Sequence, residues 1–378
     1  MLRGLYLTLL VGPVVPVPVP KVAMEALTNV SIKTDSTPQM PSGFDLTFSL
    51  STRSPLHTIF LLGAAQIPML RVILIVTING MPNVLMDGVT TMIQVTGGSS
   101  PGQANLTVTG EDLTKLMGSN LLDLSGLPYP AMPAEARVAL IIAKYAMFGL
   151  IPLVIPRFFP DIPIPTDKIP TQNGNDLQYI QQLASEAGYV FYIDPGPAPG
   201  VNMAYWGPQI KVGPPQPALN IDMDAHTNVE SLNFNFRTAE KVLPIVFIQN
   251  ALTKFPIPIP IPDINPLQPP LGVSGMIPTR VEVLRDTAKL SPMEAITRGL
   301  AAGSKSADAV TATGTLDVLR YGRLLKARQL VGVRGAGMAF DGLYYVQDVT
   351  TTIKRGEIKQ NFTLTRNGLI SITPTVPV

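Results

Sequence analysis

Tyr344–Arg366 reads Y-Y-V-Q-D-V-T-T-T-I-K-R-G-E-I-K-Q-N-F-T-L-T-R. Arg355-Gly356 supplies a turn between two long runs of β-forming residues. On the return run, Ile358, Gln360, Phe362 and Leu364 share one face, and Glu357, Lys359, Asn361, Thr363 and Thr365 share the other. That period of two describes half-buried antiparallel strands with one wet face. The same pattern recurs outward along the chain. Phe44–Leu50 reads F-D-L-T-F-S-L, Ala104–Thr109 alternates, and Leu232, Phe234 and Phe236 alternate with Asn233, Asn235 and Arg237. Val72–Ile78 is apolar on both faces, and Asn79-Gly80 then signals a tight hairpin with Val84–Val95 returning. Such a meander closes naturally as a small barrel or a sandwich, so the fold class is mainly β with inserted helices, α+β.

The helices fall in the middle. A short one is expected over Glu111–Met117, stopped by Gly118, and a second from Pro133 to Phe148, with Gly149 as a left-handed stop. A third starts at the cap Asn175, with Gln178 three residues on, and ends at Gly188. Its positions Leu177, Ile180, Leu183, Ala184 and Ala187 lie on one face. Tyr189–Ile193 and Met203–Trp206 read as a hairpin. A further helix start stands at Ser291-Pro292-Met293-Glu294, stopped by Gly303. Gly332–Gly337 (G-V-R-G-A-G) lacks the spacing of a phosphate-binding loop and reads as a turn between strands.

Phe255–Leu271 contains P-I-P-I-P-I-P, and Ile151–Pro165 is a shorter relative. Proline lacks the N–H and fixes φ, so both segments are extended and barred from a central strand. A stiff spacer in water would carry Ser or Glu between its prolines. Isoleucine there points to docking, with Ile257, Ile259, Ile261, Ile164 and Phe158 as the candidate residues.

Composition limits the function. The 378 residues hold 28 Lys+Arg, 26 Asp+Glu and no cysteine. Apolar residues make up 46% and charged residues 14%, with a mean hydropathy of +0.27. So few charges cover a monomer's surface poorly, and large buried subunit contacts are expected. No Lys/Arg block exists to displace counterions, which argues against nucleic-acid recognition. Without cysteine there are no disulfides and no Cys-ligated metal. Leu5–Val11 follows Arg3 in the manner of a leader, but Pro13, Pro16, Pro18 and Pro20 follow with no cleavage pattern, so a strand or extended arm is expected. Ile59–Ile78 and Val138–Ile155 approach the ~20 residues of a spanning helix. Pro68 and Arg71 interrupt the first, Lys144, Gly149 and Pro152 the second, so both read as buried elements.

Catalytic chemistry is sparse. His57 and His226 are the two histidines, and no G-x-S-x-G elbow is present. Asp222, Asp224 and His226 stand at i, i+2 and i+4, where a strand would present all three to a metal. The plainer reading is a polar strand edge. A converging carboxylate pair of the glycosidase kind stays open, although no spacing favours it.

Leu324–Gly335 (L-L-K-A-R-Q-L-V-G-V-R-G), Asp341–Val346 (D-G-L-Y-Y-V) and Arg355–Leu369 (R-G-E-I-K-Q-N-F-T-L-T-R-N-G-L) resemble the phage late control D family. These are baseplate hub proteins of contractile tails and injection systems, related to the N-terminal part of VgrG. The likeness is clearest over about the last sixty residues. It thins to a pattern across Asn175–Ile193 and Ser231–Arg237. The resemblance implies two tail-tube-like antiparallel barrels plus a small α/β insertion. Residues 1–118 would form the first barrel (completed by about 209–250), 119–208 the insertion, and 251–378 the second. It implies a non-enzymatic homotrimer that adapts a sixfold inner tube to a threefold spike, with inner tube, a separate spike and other baseplate proteins as partners. No cofactor and no stable membrane insertion are implied. Assembly would occur in the bacterial cytoplasm, in a phage tail or injection particle. Lys354, Arg355, Lys359 and Arg366 are then candidates for a polar, lumen-side face. A membrane-associated or pore-forming β protein, or a carbohydrate-active enzyme, is the alternative.

Overall fold

The computed structural model describes residues 5–36, 40–51, 54–66, 69–97, 104–119, 125–157, 169–237, 242–249, 255–261, 268–275, 280–284, 299–300, 303 and 308–372. One 13-stranded sheet dominates. Its order runs Val229–Phe236, Val310–Asp317, Glu357–Arg366, Gly342–Lys354, Leu27–Asp35, Gly43–Leu50, Ala104–Asp112, Met81–Gly97, Arg71–Ile78, Leu5–Gly12 and Val17–Pro18. Leu330–Arg334 pairs with Gly342–Lys354, and Gln216–Asn220 pairs with Leu330–Arg334 as a branch.

The mainly-β class with inserted helices holds, but the sheet does not close on itself. Instead of two separate barrels, strands from both halves of the chain share one ladder, because Leu27–Asp35 pairs with Gly43–Leu50 on one side and Gly342–Lys354 on the other. Val229–Phe236 also departs from the expected arrangement. It pairs with Val310–Asp317 and not with strands of residues 1–118, since its Leu232 and Val229 join the same apolar layer as Ala312 and Leu316.

Local chemistry sets the turns. Asn79 and Gly80 both take positive φ, 51° and 80°, which joins Arg71–Ile78 to Met81–Gly97 through a turn whose twist matches the strands. Gly356, at φ 85°, closes the hairpin in which Lys354 pairs with Glu357. Behind the strands lies a continuous core that includes Phe44, Leu46, Phe48, Leu106, Val108, Phe362 and Leu364.

The two long apolar stretches are divided. Ile59–Ile78 splits between helical turns (His57–Leu62, Gly63–Gln66) and the strand Arg71–Ile78. Val138–Ile155 splits between Ala134–Ala143, Ala146–Phe148 and the strand Leu150–Val154. No described helix is long and apolar enough to cross a membrane. Gly149 takes the left-handed stop (φ 75°), and Asn175 and Gln178 form the reciprocal capping box ahead of Asp176–Ala187. Leu150–Val154, which overlaps the proline-rich segment expected to be an extended docking stretch, pairs in parallel with Asn202–Gly207, which pairs antiparallel with Val190–Pro195. These helices and strands enclose a second core around Trp206, Tyr145, Ile180 and Val138.

Pro256–Pro260 is an edge strand of a small sheet, antiparallel to Val242–Gln249, with Arg280–Val283 on the far side. The helix start at Ser291 lies outside the described residues.

Candidate assembly surface

The face of the sheet opposite the core is built from small polar side chains at alternate positions. Cross-strand rungs read Ser231–Thr315–Asn361–Thr350–Lys33, then Lys359–Thr352–Ser31–Asp45–Thr109, then Asn29–Thr47–Thr107–Gln94. Hydroxyls and amides satisfy one another across the strands: Thr315 Oγ1 donates to Asn361 Oδ1 at 2.8 Å, and Thr109 Oγ1 to Asp45 Oδ1 at 2.6 Å. Lys359 sits between Glu230 (3.1 Å) and Glu357 (3.0 Å). The hydrogen bonds it donates to those carboxylates, Glu357 first and then Glu230, raise its pKa. On the same face, burial raises the pKa of Asp348 against the opposing hydrogen bond from Thr363.

The four candidate cations separate. Lys354 and Arg355 are exposed at the hairpin tip, where Arg355 Nη2 donates to the Glu25 carbonyl. Lys359 lies on the polar face as the alternation implies. Arg366 does not: it is 0% exposed, donates to the carbonyls of Asp341 (2.9 Å) and Ala339 (2.7 Å), and covers the Tyr344 ring at 4.5 Å. Burial lowers its pKa. Arg366 is in phase with Phe362 and Leu364 on the apolar side of the strand, so it pins the loop 335–341 instead of lining a wet face; Thr365, buried on the other side, is the residue that departs from the alternation.

The candidate docking residues divide too. Ile257 is exposed, Ile259 is half-buried, and Ile261 is buried against Val246 and Ile248 of the neighbouring strand. Phe158 and Ile164 lie outside the described residues.

Among the described residues, two sheet edges have no partner strand. Val229–Phe236 has a neighbour on one side. Met81–Gly97 pairs with Arg71–Ile78 only through residue 89, so from Thr91 onward its one ladder is to Ala104–Asp112. That tip is exposed on both faces, with Met92 at 54% and Val95 at 47%. The alternating pattern gave no sign that this strand outruns its partner.

Buried ionic joints, also missed in the sequence, hold the helical insertion against the sheet. Arg71 Nε and Nη2 donate to the two oxygens of Asp87, each at 2.7 Å, and Nη1 and Nη2 reach the carbonyls of Val14 and Phe148, both at 2.8 Å. Asn202 Nδ2 adds a third bond to Asp87 at 2.7 Å. The available signal was a charge inside an otherwise apolar strand, facing an acid across the Asn79-Gly80 hairpin. Arg328, at φ 67°, pairs with Asp194, donates to the Asp35 carbonyl and lies 4.0 Å from the Tyr192 ring centre.

Clefts of about 340 and 350 Å³ flank Arg328. The second contains Asp35, Glu111 and Asp112, the nearest thing to a carboxylate cluster. Each acid is engaged within the chain: Asp35 by Lys33 (3.2 Å), Glu111 by Lys115 (3.2 Å), and Asp112 by the Thr114 N–H (2.9 Å). Burial, outweighing those Thr114 bonds, raises the pKa of Asp112. Asp224–His226 is a 3₁₀ turn, so the strand alternation that would align Asp222, Asp224 and His226 is absent. No group of three metal-ligating side chains gathers among the described residues.

No protein-family model matches the sequence, and neither does any curated protein. Solved structures do. A tail protein from Neisseria meningitidis MC58 superposes with a TM-score of 0.61 at 15% identity, over 97% of this chain and 98% of that one. The chain has the fold of that tail protein. The 43 kDa tail protein of prophage MuSo2 from Shewanella oneidensis gives the same TM-score and identity, over 96% and 98%. A chain of the Francisella PdpA–VgrG complex gives a TM-score of 0.58 at 10% identity. There the likeness spans all of this chain and 60% of the other. The hub-like and VgrG-like fold implied by the C-terminal motif is therefore the fold observed.

Proposed function

We propose that this chain is a structural, non-catalytic subunit of a tail or injection particle. Three copies form a ring that joins a sixfold inner tube to a threefold spike. One observation carries the reading. Two four-strand sets stand side by side in one sheet: Val229–Phe236 through Gly342–Lys354, and Leu27–Asp35 through Met81–Gly97. Three chains then supply six such sets. The sheet has a polar face and an apolar core face, and among the described residues this eight-strand run is unpaired along Val229–Phe236 at one end and along 91–97 at the other. Joining the edge of Val229–Phe236 to residues 91–97 of a second copy continues the ladder and closes a ring, with the Ser/Thr/Asn face inward. Each edge offers about eight residues, and buried N–H and C=O groups require such pairing. The domain division read from the sequence, 1–118, 119–208 and 251–378, belongs to this proposal, with 209–250 reassigned to the second set.

The parent chain has no cysteine, which makes the contact testable. Gln94→Cys is combined in turn with Ser231→Cys, Asn233→Cys or Asn235→Cys, and the protein is oxidised. At least one combination should yield covalent species ending at three chains, with light scattering giving about three times the 40.5 kDa subunit mass. Monomer throughout, in every combination and by both methods, defeats the reading. Association with liposomes in place of rings points to the membrane alternative.

A further inference from the structure

Prolines stand in three edge strands of the described residues, at alternate positions in two of them and singly in Leu150–Val154, and in each the proline takes a position that faces away from the neighbouring strand. In the outermost strand of the main sheet, Val17 pairs with Val11, and the Val19 N–H donates to the Leu9 carbonyl at 3.0 Å. The odd positions therefore point their N–H groups into the sheet, and Pro16, Pro18 and Pro20 face outward. In the small sheet, Ile257 and Ile259 pair with Ile248 and Val246, and the Ile261 N–H donates to the Pro244 carbonyl at 3.0 Å. Pro256, Pro258 and Pro260 again take the outward positions. In Leu150–Val154 the Ile155 N–H donates to the Trp206 carbonyl at 2.9 Å, which leaves Pro152 facing out.

Each of these edges carries exposed apolar side chains that favour strand pairing: Val15 (77%) and Val17 (62%), Phe255 (73%) and Ile257 (47%), Ile151 (48%) and Leu153 (39%). With amide donors in place, such edges would template further strands. We infer that the outward prolines seal these three edges against strand addition. The period of two is what makes the seal inexpensive. A proline at every outward position removes no bond from the strand's own ladder, while a ladder on the outer side has no donor to use. The inference does not depend on the ring, because it concerns edges that the ring leaves unpaired.

The test restores donors. Pro16→Thr/Pro18→Thr and Pro256→Thr/Pro258→Thr/Pro260→Thr are compared with the parent and with Pro214→Thr, a change in an exposed loop. Light scattering and thioflavin T fluorescence are followed against concentration, and far-UV circular dichroism is recorded on dilute samples. At about tenfold per restored hydrogen bond, the onset of polymerisation in each variant should fall to a concentration at least about tenfold lower. Pro214→Thr should behave as the parent, and the dilute spectra should not change. Variants that polymerise no earlier than Pro214→Thr overturn the inference. Pro18→Thr and Pro258→Thr, each removing one ring, decide the matter if the multiple variants unfold.

Discussion

Asp87→Leu removes the acid at the centre of the joint between sheet and insertion. Arg71 is 3% exposed in its side chain and Asp87 0%. The substitution deletes both bonds from Arg71 and the one from Asn202, and leaves a guanidinium buried with only carbonyl partners. Removing one member of a buried pair costs about 3–5 kcal/mol, chiefly through the uncompensated charge that stays behind. Arg71→Met should cost at least as much, because it also strands the carbonyls of Val14 and Phe148. In the double variant no charge is left unpaired. Its cost is that of two carbonyls and the Asn202 amide, about 1–3 kcal/mol for each group that water cannot reach. The double variant should therefore lose less than the sum of the singles. Urea unfolding can be followed by far-UV circular dichroism and by Trp206, the single tryptophan, which is buried in the insertion's core. In Asp87→Leu the Trp206 transition should come first, because the joint holds the insertion in place. A variant within about 1 kcal/mol of the parent by both probes would refute the argument that this pair is an uncompensated-charge hazard.

Two further outcomes follow from local geometry. Burial raises the Asp112 pKa above its ordinary 3.8, so ionising it in the folded chain opposes folding above the raised value. Asp112→Asn keeps the acceptor for Thr114 and should raise the urea midpoint at pH 7.5. That gain should fade as pH falls through the raised pKa toward 3.8, and a gain equal at pH 7.5 and pH 4 would contradict it. Gly80 and Gly149 share positive φ (80° and 75°), but a Cβ on Gly80 meets nothing within 4 Å, whereas one on Gly149 would lie 1.8 Å from the Gly200 carbonyl. Gly80→Ala should cost about 1 kcal/mol, for the dihedral alone, and Gly149→Ala clearly more, measured by chemical denaturation.

Much of this architecture is legible in residue order because its signals are local. The alternation of Phe44–Leu50 and Glu357–Thr365, the Asn79-Gly80 turn and the Asn175/Gln178 box each depend on neighbours a few positions away. Strand partnership over long separations is not so encoded. Nothing in Leu27–Asp35 announces that its second neighbour is Gly342–Lys354, and Val229–Phe236 reads equally well beside either half. Proline hid local pairing: Ile151–Pro165 and Phe255–Leu271 read as extended docking segments, yet parts of both are edge strands, because an edge strand accepts proline wherever its N–H would face outward. Arg366 was misread through its charge: two residues beyond Leu364 it stands in phase with the buried face, and the alternation alone places it there. What residue order does not reveal is that the carbonyls of the loop 335–341 receive its guanidinium. The surface residues Lys354 and Lys359 were readable, while the unpaired tip beyond Thr91 needed the offset between two hairpins.

The dual pairing of Leu27–Asp35 has a consequence for biogenesis. On the ribosome, the second neighbour of this strand emerges more than three hundred residues after it. Throughout that interval the row of amides on its open side has no legitimate mate, which slows maturation and invites capture by other nascent chains. Factors that shield extended segments during translation should therefore matter more to the yield of this subunit than its final stability does.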